Sequence, residues 1–412
     1  MMHAPNFKSF FWGGFECASH RRNDGVRLDL LNSTGHDMHA LADYASLIEH
    51  GIVTVRDGVR WHLIESRHGH YDWTSVLPML RAANATGVQV VWDLCHYGWP
   101  DHINIWRPQF VEAFAKFAAA TAAVIASETE DAPIFTLINE ISFWSWFGGE
   151  IGDIRPSTFG RGLELKHQLV RATIAAIDAI RSVSPAARFI TTDPLINVVS
   201  RLPERMDDAE RHRLSQYQAF DMLTGALWPG LGGAACYLDI VGLNYYSFNQ
   251  WLIEGGELET TDPMYRRLAD MLEEVYRRYD RPLVIAETGA EGQSRQPWLS
   301  FVSDQVYQAR RAGVPVNGLC LYPILDYPGW ANDRHCETGL FGYANASAPD
   351  QETAGRLRPL FRPLADEIAL QRLRFEEPSL AYPQSIADVL TRCGSEPQNE
   401  LVLFPRLPRR WC

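Results

Sequence analysis

Eight short aliphatic runs, each separated from the next by a helical or long connecting segment, constrain this chain more than any other feature of its sequence. "FFWGGF" opens the series, and "IVTVR", "VQVVWDL", "APIFTLINE", "ARFITTD", "YLDIVGLNYY", "PLVIAE" and "VNGLCLYPILD" follow. Near-continuous apolar runs of this length suit strands buried on both faces of a sheet. The segments between them carry helical spacing. Met38, Leu41, Ala45 and Ile48 mark the first, with Gly51 as a stop, and the second opens at Thr74 as a cap and closes at Gly87. A third starts at Pro108 and places Phe110, Phe114, Phe117 and Ile125 on one side. Val170, Ile174, Ile177 and Ile180 mark a long helix in 163–182. Leu268, Leu272, Val275 and Tyr279 mark the next, and Leu299, Val302, Val306 and Ala309 the last.

Alternating strands and helices predict an α/β fold with a parallel sheet and right-handed crossovers. Eight units predict closure into a single-domain (β/α)8 TIM barrel. An open doubly wound sheet is the competing arrangement, but no GxGxxG or GxxxxGK[ST] follows an early strand. The 412 residues would divide into two or three average domains, yet α/β barrels routinely run longer as one. Residues 1–350 are read as the barrel. Residues 351–412, rich in Arg, Glu and Pro, are read as a final helix plus an irregular C-terminal extension packing on it.

A barrel carries its chemistry where its strands end at the C-terminal rim. "PIFTLINE" ends in Asn139 and Glu140, and "PLVIAE" in Glu287. Two glutamates closing the fourth and seventh strands face each other across one mouth. Facing carboxyls of unequal pKa are what glycoside hydrolysis needs, one giving a proton to the leaving oxygen and the other attacking or activating water. A net charge of −12 disfavours nucleic acid and anionic membrane as partners, and 13 Trp suit a sugar cleft as well as a large core. Seven dispersed Cys without a CxxC pair read as reduced thiols, and the scattered His lack metal-ligand spacing. The start "MMHAPNFKSFFWGGF" carries no apolar signal region, and no uninterrupted apolar run reaches membrane-spanning length, so the expected location is the cytoplasm.

Six motifs then stand in order. "FFWGGFECASH", "VRDGVRW", "LCHYGWP", "TLINE", "DIVGLNYYS" and "LVIAETGA" resemble the corresponding motifs of glycoside hydrolase family 1, the β-glucosidase-like branch of the 4/7 barrel superfamily, over about Phe10 to Gly342. The resemblance implies a divergent member that hydrolyses a β-linked glycoside with retention through a covalent glycosyl-enzyme, using no metal and no organic cofactor. Glu140 then corresponds to the acid/base and Glu287 to the nucleophile. Arg56 and Tyr246 correspond to the pair that orients the nucleophile, where a fixed cation favours an ionised carboxylate. His20, His96, Asn139, Asn244, Tyr322, Trp330 and Trp144 are the implied sugar or aglycone contacts, with Trp146 beside Trp144 as another.

Departures from the family pattern bear on the sugar. Gly329 stands where the family has a glutamate for the 4- and 6-hydroxyls, and His20 replaces a glutamine. The expected substrate is a small glycoside or oligosaccharide lacking or modified at those hydroxyls, and Gly329→Glu is expected to restore the lost contact. Arg334 and His335 are read either as ligands for an anionic C6 substituent or as solvated loop residues. Two other functions fit the same residues: a transglycosidase in glycan synthesis, and a non-catalytic carbohydrate-binding barrel.

Overall fold

The eight aliphatic runs become eight parallel strands in the computed structural model, which describes residues 7–344 and 358–376. They are β1 (Phe11–Gly14), β2 (Thr54–Gly58), β3 (Gln89–Asp93), β4 (Ile134–Thr136), β5 (Arg188–Pro194), β6 (Ile240–Asn244), β7 (Leu283–Thr288) and β8 (Val316–Leu321). Each pairs with its sequence neighbour, and β1 pairs with β8, Phe11 opposite Leu319, so the sheet closes. This is the expected (β/α)8 barrel. Its interior holds Trp12, Val91, Ile134, Ile190, Ile240, Val284, Ala286, Cys320 and Tyr322. Two glycines make room for the largest of these side chains. A Cβ at Gly318 would lie 2.4 Å from the Trp12 indole, and one at Gly14 would lie 2.2 Å from the Tyr322 ring.

Among the described residues, helices cover the outside: α1 (His36–Glu49), α2 (Leu77–Thr86), α3 (Pro108–Glu128), α4 (Gly162–Val183), α5 (Leu268–Tyr279), α6 (Arg295–Arg311) and α7 (Arg362–Glu376). Between β5 and β6 the cover is shared by two helices, Met206–Ser215, which is as long as α2, and Gln218–Thr224. The predicted stripes of α3, α4 and α6 are buried throughout, as are Leu268, Leu272 and Val275 of α5. Helix α3 starts on its proline, which has no N–H to leave unpaired, and α2 stops at Gly87 with φ 73°. By length and composition α3 is apolar enough to cross a membrane, unlike the sequence expectation, but Phe110, Phe114 and Phe117 are core residues here. Its apolarity serves packing against the barrel and α4.

Three local expectations are corrected. The fourth strand is shorter than its apolar run, because Asn139 N–H bonds the Cys95 carbonyl and Glu140 N–H the Thr192 carbonyl instead of continuing a regular ladder. Thr74 does not cap α2; the helix begins at Leu77 after a turn in which Asp72 accepts from the Thr74 amide. In α1 the face is different: Met38 and Leu41 are 56% and 50% exposed, while His36, Ala40, Asp43, Tyr44 and Leu47 point inward.

That inversion has an electrostatic cause. His36 lies flat against Phe15 at 3.6 Å and places its two ring nitrogens 2.8 Å from Asp43 and 2.8 Å from Asp57 of β2. Tyr44 donates to the same Asp57 oxygen, and Arg358 bonds Asp43. Burying this polar set demands that its members meet, so α1 turns its charged side inward. Helix α7 completes the outer ring: Phe375 stacks on Phe10, and Arg374 pairs with Asp304 of α6. Residues 377–412, which hold the expected irregular extension, lie outside the described residues, as do 345–357.

The His36 cluster predicts a pH-dependent stability. Burial opposes charge on its imidazole, but Asp57 and Asp43 overcome this and lift it to about 9. The unfolded imidazole releases its proton near its ordinary value of 6.5. Its stabilisation is therefore complete below pH 6.5 and is lost as pH rises through 9, amounting to roughly 3 kcal/mol. His36→Gln should lower the thermal unfolding midpoint strongly at pH 6 and much less at pH 9.5. Equal losses at both would contradict a charged His36.

Candidate active site

Strand geometry gathers the candidate residues at one end of the barrel. Arg56 leaves β2 and runs across the interior, 1% exposed, to groups on three other strands or their ends. Its Nε and Nη2 bond the two oxygens of Asp93 at 3.1 and 2.8 Å. Nη1 bonds Glu287 Oε1 at 2.7 Å and the Ala286 carbonyl at 3.1 Å, and Nη2 also bonds Asn139 Oδ1 at 2.6 Å. The planar fork suits this set, because each N–H leaves the guanidinium in a fixed direction. Glu287 receives its second donor from the Tyr246 hydroxyl, 3.0 Å from Oε2.

Glu140 stands just past β4 with φ 46°, a left-handed backbone that few glutamates adopt. The Asn244 amide donates to its Oε1 at 2.9 Å, and the Tyr97 hydroxyl donates to Oε2. Tyr97 also has positive φ, 64°. Burial, then the neighbouring charge of Glu287, pushes the Glu140 carboxyl up to about 8, against the pull of its two donors. The two glutamates that close the fourth and seventh strands are therefore neighbours in unequal surroundings.

Asn139 links the two halves of the site. Arg56 and Thr192 fix its carbonyl oxygen, so its amide hydrogens point to His96 Nε2 at 3.0 Å and the Tyr97 hydroxyl at 2.9 Å. This assigns the ring proton of His96 to Nδ1, 3.0 Å from Asp93. Burial works against charge on this imidazole, and Asp93 and Glu16 outweigh it, drawing the group upward. A sugar hydroxyl would reach the Asn139 amide only by replacing one of these partners.

His20 is 99% buried in effect, with 1% exposure, and neither ring nitrogen has a partner among the described residues. Burial, then His96, holds it down to about 3, so the ring is neutral. It packs edge to face against Trp330 at 4.7 Å and lies 6.1 Å from Tyr97. The Trp330 Nε1 and the Asn244 Oδ1 are likewise buried without partners. Unsatisfied buried polar atoms are costly, and the two His20 nitrogens, Trp330 Nε1 and Asn244 Oδ1 are the ones that belong to this site.

Some sequence expectations are corrected. Trp144 is fully buried and donates its Nε1 to the Arg155 carbonyl at 2.8 Å, which makes it a packing residue against Trp99 and Tyr97. Trp146, 42% exposed, is the aromatic of that segment that meets solvent. Tyr322 is buried with its ring parallel to His96 at 5.8 Å and 5.3 Å from the Arg56 guanidinium carbon. Arg334 pairs with Glu291 of the segment between β7 and α6, and His335 pairs with Asp326, so both side chains already have carboxylate partners. A Cβ on Gly329 would sit 3.2 Å from both Asn332 Oδ1 and Cys336 Sγ, so a glutamate there requires those two side chains to give by a few tenths of an ångström.

Asp93, Tyr97 and Glu16 were not anticipated as site residues. Asp93 and Glu16 follow apolar runs just as Glu287 does, a signal available in the sequence; Tyr97 offered none. Cys17, Asp93 and His96 bring one donor atom each within 4.8 Å, the spacing of a metal seat. Both Asp93 oxygens already bond Arg56, and burial pushes the Cys17 thiol well up, so the donor set does not suit a cation. Cys17, Cys95, Cys236 and Cys320 form no disulfide among the described residues.

No protein-family profile and no curated protein matches this sequence. Its fold is similar to solved β-glucosidases. The family 1 β-glucosidase from Thermotoga maritima aligns with TM-score 0.69 and 15% identity over 89% of this chain and 99% of that one. A hyperthermophilic β-glucosidase mutant gives 0.68 and 17% over 89% and 100%. The AHE enzyme from Alicyclobacillus herbarius gives 0.71 and 17% over 90% and 99%.

Tyr97 generates a prediction. Its hydroxyl favours the ionised form of Glu140, so Tyr97→Phe should move the Glu140 titration upward from about 8, by roughly one unit. Carboxyl-resolved NMR of the labelled protein reads this directly. An unmoved midpoint would mean that Tyr97 does not donate to Glu140.

Proposed function

We propose that this chain is a retaining β-glycosidase, hydrolysing a β-linked glycoside by double displacement. The observation that carries the reading is the contrast between two neighbouring carboxyl groups. Glu140 is pushed up to about 8, whereas Glu287 accepts hydrogen bonds from Arg56 and Tyr246. A carboxyl titrating near 8 is protonated at neutral pH and serves as the acid, while the carboxylate held by a cation and a phenol serves as the nucleophile.

In the first step Glu287 attacks the anomeric carbon as the Glu140 proton passes to the glycosidic oxygen. The bond to the aglycone breaks, the alcohol leaves, and a glycosyl ester of Glu287 remains. In the second step Glu140, now ionised, takes a proton from water. The water oxygen attacks the same carbon, the ester bond breaks, and Glu140 is again protonated. Fixed donors on Glu287 help both steps, because they need no reorganisation as charge moves. His20, Trp330 and Asn244, with their unpartnered polar atoms, are the proposed sugar contacts. Trp146 is the proposed aglycone platform. We place the protein in the cytoplasm, in accord with Cys17, Cys95, Cys236 and Cys320 forming no disulfide among the described residues.

Two measurements test the assignment. The pH profile of kcat/KM for an aryl β-glycoside should fall on its basic limb near 8, and Glu140→Gln should hurt poor leaving groups at least a hundredfold more than good ones. Equal losses across leaving groups would remove the acid role. Glu287→Ala should abolish turnover, and azide should restore it by attacking the vacated face to give a glycosyl azide of inverted configuration. A rescued product of retained configuration would place the nucleophile elsewhere.

A further inference from the structure

The site contains a third buried carboxyl that the proposed chemistry does not use. Glu16 follows β1 at the barrel end where Arg56, His96 and Glu287 meet, and it is 6% exposed. Its Oε1 accepts from the Ala18 amide at 2.9 Å and from the Tyr322 hydroxyl at 3.4 Å. The same oxygen lies 3.9 Å from His96 Nε2. Its Oε2 makes no hydrogen bond among the described residues. Burial, opposed by His96, raises its affinity for a proton, and Glu287 adds to this.

Glu16 is not part of the acid/base pair. The groups acting on it are His96, the Ala18 amide, Glu287 and Tyr322, whereas those acting on Glu140 are Glu287, Tyr97, Asn244 and Asp193. Glu287 thus has Glu140 as one carboxyl neighbour and Glu16 as another. A second observation independently points to a ligand here. His20, four residues further along the same segment, is buried with both ring nitrogens unpartnered, and it too is influenced by His96. Trp330, packed on His20, adds an unpartnered indole N–H. One segment after β1 therefore supplies an open carboxyl oxygen and a neutral imidazole, with a free donor beside them. Hydrogen-bonding capacity of both signs within one small region matches hydroxyl groups, which donate and accept.

We propose that Glu16 is the specificity-determining acceptor of the sugar site, reading with His20 an adjacent pair of ring hydroxyls on a neutral sugar. This rests on the glycosidase reading for its turnover but not for its binding. It gives the pocket the carboxylate that Gly329 does not provide, from the opposite end of the chain. A site built to bond a hydroxyl rejects the analogue lacking it, because the buried acceptor is then left alone.

The test uses matched aryl β-glycosides in the gluco and galacto series, each lacking one ring hydroxyl, and the corresponding methyl 1-thio-β-glycosides as neutral ligands that resist cleavage. Wild type should penalise loss of one or two adjacent hydroxyls by roughly tenfold or more, both in kcat/KM and in thioglycoside affinity by calorimetry. Glu16→Ala should flatten that penalty to under about threefold while leaving the penalties at other positions and the basic pH limb in place. Glu16→Gln keeps the shape and the Ala18 contact, so it should fold as wild type does and give an intermediate penalty. Equal losses on every sugar in both variants would overturn the proposal and leave Glu16 a structural residue. If wild type cleaves none of the glycosides but binds thioglycosides with a Glu16-dependent penalty, the catalytic reading fails and this one stands. If wild type binds none of them, Glu16 reads no sugar and the proposal is wrong.

Discussion

A guanidinium buried at the centre of the barrel sets the terms for the rest of the site. Arg56 bonds Asp93, Asn139, Glu287 and the Ala286 carbonyl, tying β2 to β3, to the end of β4 and to β7. A charge with almost no access to water is tolerable only when its N–H groups are met, and removing one partner of such a pair costs about 3–5 kcal/mol. The positions of Asp93, Asn139 and Glu287 are therefore not independent. Each is oriented by the same rigid fork, and Asn139 passes that orientation on to His96 and Tyr97. Tyr97 in turn reaches Glu140. The nucleophile and the acid of the proposed mechanism are thus joined through three side chains, and a lysine could not replace the arginine, having no fork to hold.

A second buried network lies behind the first. His36, Asp43, Asp57, Tyr44 and Arg358 join α1, β2 and the start of the last described segment. It does no proposed chemistry, yet it positions β2, which carries Arg56 one residue before Asp57. The helix that supplies His36 accepts exposure of Met38 and Leu41 to bury these charges. Polar satisfaction outweighed an apolar stripe there, as expected when the alternative is an unpaired charge in a low-dielectric interior.

The barrel was legible because eight doubly covered strands must be nearly continuous in apolar residues, and because most of its helices bury the stripe their spacing shows. The two strand-ending glutamates were legible for the same reason: a carboxylate at the end of such a run has only the rim to go to. That rule is permissive. Asp57, Asp93, Asp193 and Glu16 end or follow strands in the same way, and whether each is structural, electrostatic or open to a ligand depends on partners far away in sequence. Asp57 meets His36, Asp93 meets Arg56, and Asp193 meets Ser142. Glu16 keeps an oxygen open. Tyr97 and Trp144 fail differently, since direction rather than identity decides their roles. Trp144 and Trp146 are two residues apart on a helical segment and face opposite environments.

The account's central claim is that Glu287, fixed by Arg56 and Tyr246, forms a covalent bond to the sugar while Glu140 supplies and recovers the proton. Proton NMR of the first hemiacetal released from an aryl β-glycoside, recorded before mutarotation, tests it most directly. Two successive displacements at the anomeric carbon predict that the β-anomer appears first and the α-anomer grows in only later. Initial release of the α-anomer would mean a single displacement by water, with Glu287 acting as a base, and would contradict the claim.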